Sequence, residues 1–257
     1  MNRQQRRLLL ADRVAEGGEL GFADAAAMFG VSEMTIRRDV EALEAQGRVR
    51  RVPGGMMSIR GGNGYEPPFS SRVMTQAREK ADIARAVADL LVPGSRVMID
   101  TGSTGLAVAK AVRGRGLGLT VLTPNLLVAM QLVDEPDTSV FLTGGELRQG
   151  EMSLIGPATV QSLTAYNLDT YVMSVAGVDA ERGISDYNVS EAATKRAAVA
   201  ASDRVIVCVD ASKLDKVFLT NVAAFAEVDV LVTDGEAGNR SVLAARDAGV
   251  EVVLVAH

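Results

Sequence analysis

The spacing of apolar residues divides the chain into two parts with different patterns. Near the N-terminus, apolar residues recur at helical spacing. This spacing predicts three helices: one that contains Leu8, Leu9 and Val14, one over residues 22–29 and one over residues 32–45.

The third predicted helix carries its own boundary signals. Ser32 is a suitable N-cap, because its hydroxyl can accept a hydrogen bond from an unpaired amide of the first turn, and Gly47 is a suitable stop. Ile36, Val40 and Leu43 then share one face, which we expect to pack into a small core.

A β-hairpin is expected after this helix. Residues 48–52 would form its first strand, residues 53–55 the turn and residues 56–59 the return strand. Helices followed by such a hairpin form a winged helix-turn-helix domain, which we assign to residues 1–60.

A linker separates this domain from the rest of the chain. Gly61-Gly-Asn-Gly64 is typical of a flexible segment and Pro67-Pro68 of a stiff one, so residues 61–74 are assigned as the linker. The second domain follows over residues 75–257.

Apolar runs that alternate with Ala-rich helical stretches dominate the second domain. Such runs are typical of strands buried on both faces of a largely parallel sheet. The predicted fold class is α/β, with a doubly wound, mostly parallel sheet. The runs cover residues 96–100, 119–123, 139–143, 170–176, 205–210, 228–233 and 252–255.

Composition excludes several classes of function. The one cysteine, Cys208, and the one histidine, His257, rule out an internal disulfide, Ser-His-Asp catalysis and multi-histidine metal sites. Cys208 lies in an apolar run and is expected to be a buried, inert thiol.

The sequence shows no membrane or targeting signal. No apolar run approaches the ~20 residues of a membrane span, and the N-terminal residues show no signal-peptide pattern. We therefore expect a cytoplasmic protein without metal or cofactor.

Charge is distributed unevenly between the two domains. The net charge is −5, yet residues 1–60 hold ten Lys and Arg against eight Asp and Glu, and the remainder holds seventeen against twenty-four. The first domain is the basic part, which suits a polyanionic partner.

The first domain carries a candidate DNA-binding surface. A short helix, a tight turn at Gly30-Val31 and a second helix are the parts of a helix-turn-helix, whose second helix enters the major groove with its first-turn residues at the base edges. A solvated helical face is the alternative that spacing and composition leave open. The candidate DNA-binding residues are Ser32, Thr35, Arg37, Arg38, Arg50 and Arg51.

The second domain carries a candidate anion site. The run over residues 96–100 leads into Thr101-Gly-Ser-Thr-Gly105 and then into a helix. Such a loop offers amides, hydroxyls and the positive end of the helix dipole to a phosphate. An ordinary turn capped by Ser103 or Thr104 is the alternative.

Polar side chains after other runs extend this site, because open α/β sheets bind ligands at the carboxyl ends of their strands. Glu191 and Lys195, four residues apart on one helix, join the site unless they form only a surface ion pair. The candidate effector-binding residues are Asp100, Gly102, Ser103, Thr104, Asn125, Gly144, Arg148, Glu191, Lys195 and Lys213.

The helix-turn-helix segment resembles the signature of the DeoR family of bacterial sugar-metabolism regulators. The resemblance rests on Val31-Ser-Glu-Met-Thr-Ile-Arg-Arg-Asp39 and on the wing sequence Arg51-Val-Pro-Gly-Gly55. That family often has histidine where this chain has Pro53, so any contact of that histidine is absent here.

The resemblance continues in chain order along the second domain. Sensor domains of this family are similar in fold to ribose-5-phosphate isomerase, so the resemblance implies a phosphorylated sugar or polyol as effector. The matching segments are Glu79-Lys80-x-x-Ile83-Ala84, Asp100-x-Gly-Ser-Thr104, Gly144-Gly-x-x-Arg148, Gly177-Val-Asp179, Glu191, Lys195 and Asp210-x-Ser-Lys213.

The resemblance also implies a division of roles within the site. Two departures from the family pattern, Pro124 in place of asparagine and Ala211-Ser-Lys-Leu214 in place of His-Ser-Lys-Phe, leave room for a different ligand. By the resemblance, the phosphate would be held by Gly102, Ser103, Thr104 and Lys213, and the hydroxyls by Asp100, Glu191 and Lys195.

These features together predict a DNA-binding transcriptional repressor of a carbohydrate-metabolism operon. We expect a homo-oligomer, a dimer or tetramer, on repeated half-sites of double-stranded operator DNA, with an affinity controlled by the effector and with no catalytic residue. One alternative is an active sugar-phosphate isomerase with a DNA-binding head, since Asp100, Glu191 and Lys195 could transfer protons. Another is an adaptor whose head docks onto a protein.

Overall fold

The chain forms two compact units, residues 1–75 and residues 76–257. The computed structural model describes residues 1–17, 19–45, 48–58 and 66–256, with only the backbone of residues 16 and 17. Features of the sequence that lie outside the described residues are Gly47 as a helix stop, Ile59 at the end of the return strand, Gly61–Gly64 of the linker and His257.

The first unit combines helices with a small antiparallel sheet. The second helix has the predicted bounds, and the third begins one residue later than predicted. The elements are α1 (Arg3–Gly17), β1 (Glu19–Gly21), α2 (Phe22–Phe29), α3 (Glu33–Ala45), β2 (Val49–Val52), β3 (Gly55–Ser58) and α4 (Phe69–Met74).

Apolar residues at helical spacing form the core of this unit, as the sequence predicted. The buried face of α3 packs on α1 and α2, and the burial of each large apolar side chain stabilises the fold by about 1.5–3 kcal/mol. The core residues that are at most 2% exposed include Leu10, Val14, Phe22, Ile36, Val40, Leu43, Val49 and Met56.

A left-handed glycine makes the turn between α2 and α3. Gly30 has φ 62°, and its amide and that of Val31 donate to carbonyl oxygens of the last turns of α2. Most other residues would be strained at this φ. Ser32 follows, and its Oγ accepts a hydrogen bond from the amide of Thr35 at 3.3 Å, which confirms it as the N-cap of α3.

Among the residues that the structure describes, the wing is a three-stranded sheet in the order β1–β3–β2. The sequence predicted β2 and β3 but not β1, because three residues are too few for a periodic signal. Gly55 makes the third strand possible: a Cβ at this position would lie 2.4 Å from the carbonyl oxygen of Leu20 in β1.

Part of the predicted linker is helical. Residues 69–74 form α4, and the amides of Ser71 and Arg72 donate to the carbonyl oxygen of Pro68. The two prolines that suggested a stiff linker therefore precede a helix, a position that suits proline because the first helical amides need no partner within the helix.

The second unit alternates strands and helices. Its helices and strands are α5 (Ala77–Asp89), β4 (Arg96–Ile99), α6 (Gly102–Val112), β5 (Thr120–Thr123), α7 (Leu126–Leu132), β6 (Ser139–Leu142), β7 (Glu146–Arg148), β8 (Ser153–Ile155), α8 (Pro157–Leu163), β9 (Thr170–Ser174), β10 (Gly177–Asp179), β11 (Gly183–Asp186), α9 (Val189–Ala200), β12 (Val205–Cys208), β13 (Thr220–Ala223), β14 (Val230–Thr233), α10 (Arg240–Asp247) and β15 (Glu251–Leu254).

Within the described residues, the main sheet has seven parallel strands in the order β15–β14–β12–β9–β4–β5–β6. Each of the seven predicted runs forms one of them, with ends within two residues of the prediction. Side chains alternate between two apolar clusters, one on each face: Val97 and Ile99 of β4 join one cluster and Met98 joins the other. The doubly wound α/β prediction is confirmed.

Two smaller β-structures beside the main sheet were not predicted. They are the hairpin of β7 and β8 and a three-stranded sheet in the order β10–β11–β13. Their strands of three or four residues are too short to show a pattern, yet they carry residues of the site described below.

Cys208 lies in β12 and is buried, and burial raises the pKa of its thiol to about 12. Within the described residues, the structure contains no helix with the length and apolar character of a membrane span.

Candidate DNA-binding and effector sites

A buried carboxylate on α3 fixes this helix to α1. Asp39 is 1% exposed, and its two oxygens accept hydrogen bonds from the Nε atoms of Arg6 and Arg7, both at 2.7 Å. Because a buried carboxylate is costly unless it is paired, these contacts fix the rotation of α3 about its own axis. The sequence alone predicts no role for Asp39.

Two of the predicted DNA-binding residues use their hydroxyls within the first turn of α3. The Oγ of Ser32 and the Oγ1 of Thr35 lie 3.0 Å apart. Arg38 on α3 and Arg50 on β2 are exposed. These two arginines therefore present charge to solvent, where a phosphate or a base edge could meet it.

The other two predicted arginines lie against an aromatic ring. The guanidinium carbon of Arg37 lies 4.2 Å from the centre of the Phe22 ring, and that of Arg51 lies 5.9 Å from it. Arg37 also pairs with Glu33 at 3.6 Å, and Arg51 with Glu41 at 3.5 Å. A groove of about 440 Å³ opens beside this stack, lined by Phe22, Arg37, Glu44, Arg51, Val52, Pro53 and Gly54.

The loop between β4 and α6 is packed tightly against the end of the strand. Thr101 is the N-cap of α6, so neither Ser103 nor Thr104 caps it. Gly102 has φ 86°, and a Cβ on Gly105 would lie 2.3 Å from the carbonyl oxygen of Asp100. The glycines let the first turn of α6 pack directly on the end of β4. The binding of an anion there stays a prediction.

Lys195 is buried among carboxylates at the carboxyl edge of the main sheet. Its side chain is 3% exposed, and its Nζ donates to Asp100 and, at 2.7 Å, to the carbonyl oxygen of Ser174. The Oδ2 of Asp186 lies 3.4 Å from the same Nζ. The idea of a surface ion pair between Lys195 and Glu191 is therefore wrong, because Lys195 is buried and pairs with Asp100, which directly follows β4, and with Asp186, which ends β11.

Glu191 joins α9 to the β7–β8 hairpin. Its Oε1 accepts a hydrogen bond from the Oγ of Ser153 at 2.7 Å and lies 3.0 Å from the Nη1 of Arg148. Arg148 ends β7 and Ser153 begins β8, so one carboxylate oxygen holds both strands of the hairpin. This contact places Arg148 beside the buried cluster.

Burial and pairing together set the charges of the cluster. Burial raises the pKa of Asp186 to about 6 and also raises the pKa of Asp100, although Lys195 opposes both shifts. Burial alone would lower the pKa of Lys195, but the surrounding carboxylates raise it. Burial would raise the pKa of Glu191, but Lys195 and Arg148 hold it below its usual value. Lys195 and Glu191 are thus charged at neutral pH.

The remaining candidates lie at other strand ends of the same edge. Asn125 follows β5 and is 1% exposed. Its Oδ1 accepts from the amides of Leu127 and Val128 at the start of α7, and its Nδ2 donates to the carbonyl oxygen of Glu151. Both polar atoms of Asn125 therefore serve the local fold.

Gly144 and Lys213 follow two further strands of the main sheet. Gly144 comes after β6, and its carbonyl oxygen accepts a hydrogen bond from the Oγ1 of Thr159 at 2.7 Å. Lys213 ends a short 3-10 helix after β12, which is separated from β4 only by β9. Side-chain contacts thus join Asp100 to Lys195 and Glu191 to Arg148, with Gly144 and Lys213 at neighbouring strand ends.

Two family matches cover most of the chain. Residues 6–61 match the DeoR-like helix-turn-helix domain, and residues 75–235 match the DeoR C terminal sensor domain. The chain belongs to the DeoR family. The resemblance drawn from the signature residues is confirmed.

Curated members of the DeoR family align with nearly the whole chain. The Glycerol-3-phosphate regulon repressor of Escherichia coli (strain K12) is 33% identical over 91% of this chain and 92% of its own length. Transcriptional repressor AccR of Agrobacterium fabrum is 34% identical over 84% of this chain and 82% of its own. HTH-type transcriptional regulator GolR of Listeria innocua is 30% identical over 87% of each.

Solved structures with similarity to this DeoR-family chain share far less sequence. Ribose 5-phosphate isomerase A of Methanocaldococcus jannaschii has 14% identity and a TM-score of 0.41 over 55% of each chain. The eIF2B delta subunit of Chaetomium thermophilum has 14% identity and a TM-score of 0.45 over 63% of this chain and 57% of that one.

Sequence reasoning missed three side chains that organise the two sites. Asp39 stands inside the DeoR signature, so the signature could have drawn attention to it. Ser153 and Asp186 lie on short strands of the small β-structures, and their partners are 38 and nine residues away along the chain. No spacing rule links such residues before the fold is known.

Proposed function

We propose that this DeoR-family protein represses a carbohydrate-metabolism operon and releases its operator DNA when a phosphorylated sugar or polyol binds the second unit. The first unit would bind double-stranded DNA through α3 and the wing. Family membership, the basic charge of the first 60 residues and the names of the relatives, among them a Glycerol-3-phosphate regulon repressor, support this proposal.

The buried charged cluster is the observation that carries the effector part of the proposal. Ionised groups are rarely buried unless they are paired or serve a site, and this cluster lies where open α/β sheets bind ligands. Asp100, Glu191 and Lys195 would meet hydroxyls, and Arg148 would contribute a guanidinium. The loop over residues 102–104 and Lys213 would hold the phosphate.

Effector binding would act through a difference in affinity between two arrangements of the protein. A ligand shifts such an equilibrium only by its differential affinity, and a ligand hydroxyl or phosphate that competes for the Arg148–Glu191 contact would supply such a difference. In a cytoplasmic homo-oligomer, the first units of two subunits would bind repeated half-sites of the DNA. The shift between the two arrangements would then release the DNA.

We infer that the site binds its ligand without catalysing a reaction. An isomerase needs a group that takes up and returns a proton, but the carboxylates around Lys195 hold it protonated, and Asp100, Asp186 and Glu191 are each paired with a cation. A turnover assay over a panel of sugar phosphates should therefore show no isomerisation. Measurable turnover would support the isomerase alternative instead.

A thermal-shift screen tests the effector class directly. A ligand that binds only the folded state raises the melting temperature, so one phosphorylated sugar or polyol, with glycerol 3-phosphate included in the panel, should raise it while its unphosphorylated form does not. Lys213→Ala should weaken this response about tenfold in ligand concentration. Lys110→Ala, an exposed lysine on α6, is the matched control. The absence of any rise would contradict the proposed ligand class.

A further inference from the structure

The outward side of α3 is a stripe of exposed residues. Met34, Arg38, Glu41 and Ala45 are exposed and recur at intervals of three and four residues, which places them on one face of the helix. Because Asp39 fixes the rotation of α3, this stripe faces away from the core of the unit.

The side chains next to this stripe have partners within the first unit. Arg37 lies over Phe22 and pairs with Glu33. The hydroxyls of Ser32 and Thr35 lie within hydrogen-bond distance of each other. In the first two turns of α3, Met34 and Arg38 are therefore the long side chains that point outward on the stripe.

Met34 has the chemistry to recognise one feature of DNA. Its side chain is 59% exposed and offers no strong donor or acceptor, so it cannot read a base through hydrogen bonds. The one apolar group that bases present in the major groove is the 5-methyl group of thymine. An unbranched thioether adapts its shape readily to such a group.

We propose that Met34 determines sequence specificity by contact with a thymine methyl group, next to a base pair that Arg38 reads. Arg38 has the forked geometry that binds guanine through two hydrogen bonds. Arg37, which is stacked and paired, positions the helix instead. This inference rests on the proposed function, since it requires α3 to enter the major groove.

Removal of single methyl groups from DNA tests the contact. The full chain would first select its tightest duplex from a random-sequence library, and each thymine of that duplex would then be replaced by deoxyuridine. Binding by the wild type should weaken about fourfold at one thymine in each half-site, as expected for one buried methyl group. Met34→Ala should bind the thymine duplex about fourfold more weakly and should lose this sensitivity to deoxyuridine.

Met28→Ala is the matched control, because Met28 is a 49% exposed methionine on α2 of the same unit. It should keep the affinity and the deoxyuridine response of the wild type. Arg38→Ala should weaken binding but keep the deoxyuridine response at the same thymine.

The outcomes separate this inference from the proposed function. If the wild type selects a sequence but Met34→Ala keeps the same deoxyuridine response, or if no thymine shows a response, the role of Met34 is wrong while DNA binding stands. If the wild type selects no sequence and binds no duplex, both the inference and the proposed function fail.

Discussion

The two units hold their charged functional side chains in opposite ways. In the first unit, the candidate DNA-binding residues Arg38 and Arg50 are exposed, and the buried ion pairs of Asp39 serve the fold. In the second unit, the candidate effector residues Asp100 and Lys195 are themselves the buried ion pair.

This difference follows from the size and charge of the two proposed partners. DNA carries a dense row of phosphates, so exposed arginines are enough to attract it. An exposed arginine also costs the unbound protein no stability, because it stays solvated. A small polar ligand is distinguished by groups that are already desolvated and held in place. Substitution of the exposed residues on α3 should therefore reduce DNA binding at little cost in stability, whereas substitutions in the cluster should reduce both ligand binding and stability.

The largest expected effect is that of Lys195→Met. It leaves Asp100 and Asp186 buried without their cation, which should destabilise the second unit by about 3–5 kcal/mol. Urea denaturation of the full chain measures this loss, with Lys110→Met as the control for a lysine on the surface. A loss below about 1 kcal/mol would mean that the cluster is not a buried ionic network.

The raised pKa of Asp186 should make the stability of the protein depend on pH. Its pKa in the folded protein, about 6, lies above its ordinary value of 3.8, so the folded protein holds this proton more tightly than the unfolded chain does. The resulting stabilisation is complete below about pH 4 and is lost as the pH rises through 6. The stability of the wild type relative to Asp186→Asn should thus fall by up to about 3 kcal/mol over this range.

Asp169 should make the stability depend on pH in the opposite direction. Arg96 lowers the pKa of this carboxyl, so its contribution is present at neutral pH and is lost as the pH falls. The wild type should therefore lose stability relative to Asp169→Asn on acidification. Equal pH profiles for wild type and Asp186→Asn would contradict the raised pKa of Asp186.

Loss of the buried ion pairs of Asp39 in the first unit should have an intermediate effect on stability. Asp39→Asn removes the charge that pairs with Arg6 and Arg7 and should destabilise the first unit by about 2 kcal/mol. Glu41→Gln, which alters an exposed pair with Arg51, should cost less than about 0.5 kcal/mol. If both variants unfold at the same urea concentration as the wild type, Asp39 does not fix α3.

Arg38→Ala should have the smallest effect on stability but a clear effect on DNA binding. Arg38→Ala removes an exposed side chain, so the stability should change by less than about 0.5 kcal/mol. DNA affinity measured over a range of salt concentrations should fall, together with the discrimination at the base pair that Arg38 reads. Unchanged salt-sensitive retention on DNA would favour the adaptor alternative.

The sequence predicted the elements whose signals are local. The helix Phe22–Phe29 and the seven strands of the main sheet were found because an apolar pattern, a left-handed glycine or an N-cap marks each of them. β1 and the β7–β8 hairpin were missed because three-residue strands depend on pairing with distant segments.

The sequence suggested residues for the candidate site but did not predict the contacts between them. Glu191 and Lys195 were chosen for their helical spacing, yet Lys195 pairs with Asp100, 95 residues earlier in the chain. Asn125 was chosen as a ligand group, but both of its polar atoms serve the start of α7 and the hairpin. Pairing across a sheet depends on strand order, which no local pattern encodes.

The most direct test of the account is a titration of the full chain, bound to its selected duplex, with each compound that raises the melting temperature. Fluorescence anisotropy of the labelled duplex would report the bound fraction. The account predicts that the phosphorylated compound releases the DNA, that its unphosphorylated form does not, and that Lys213→Ala requires a higher concentration for release. A compound that stabilises the second unit but leaves DNA affinity unchanged would contradict the proposed coupling.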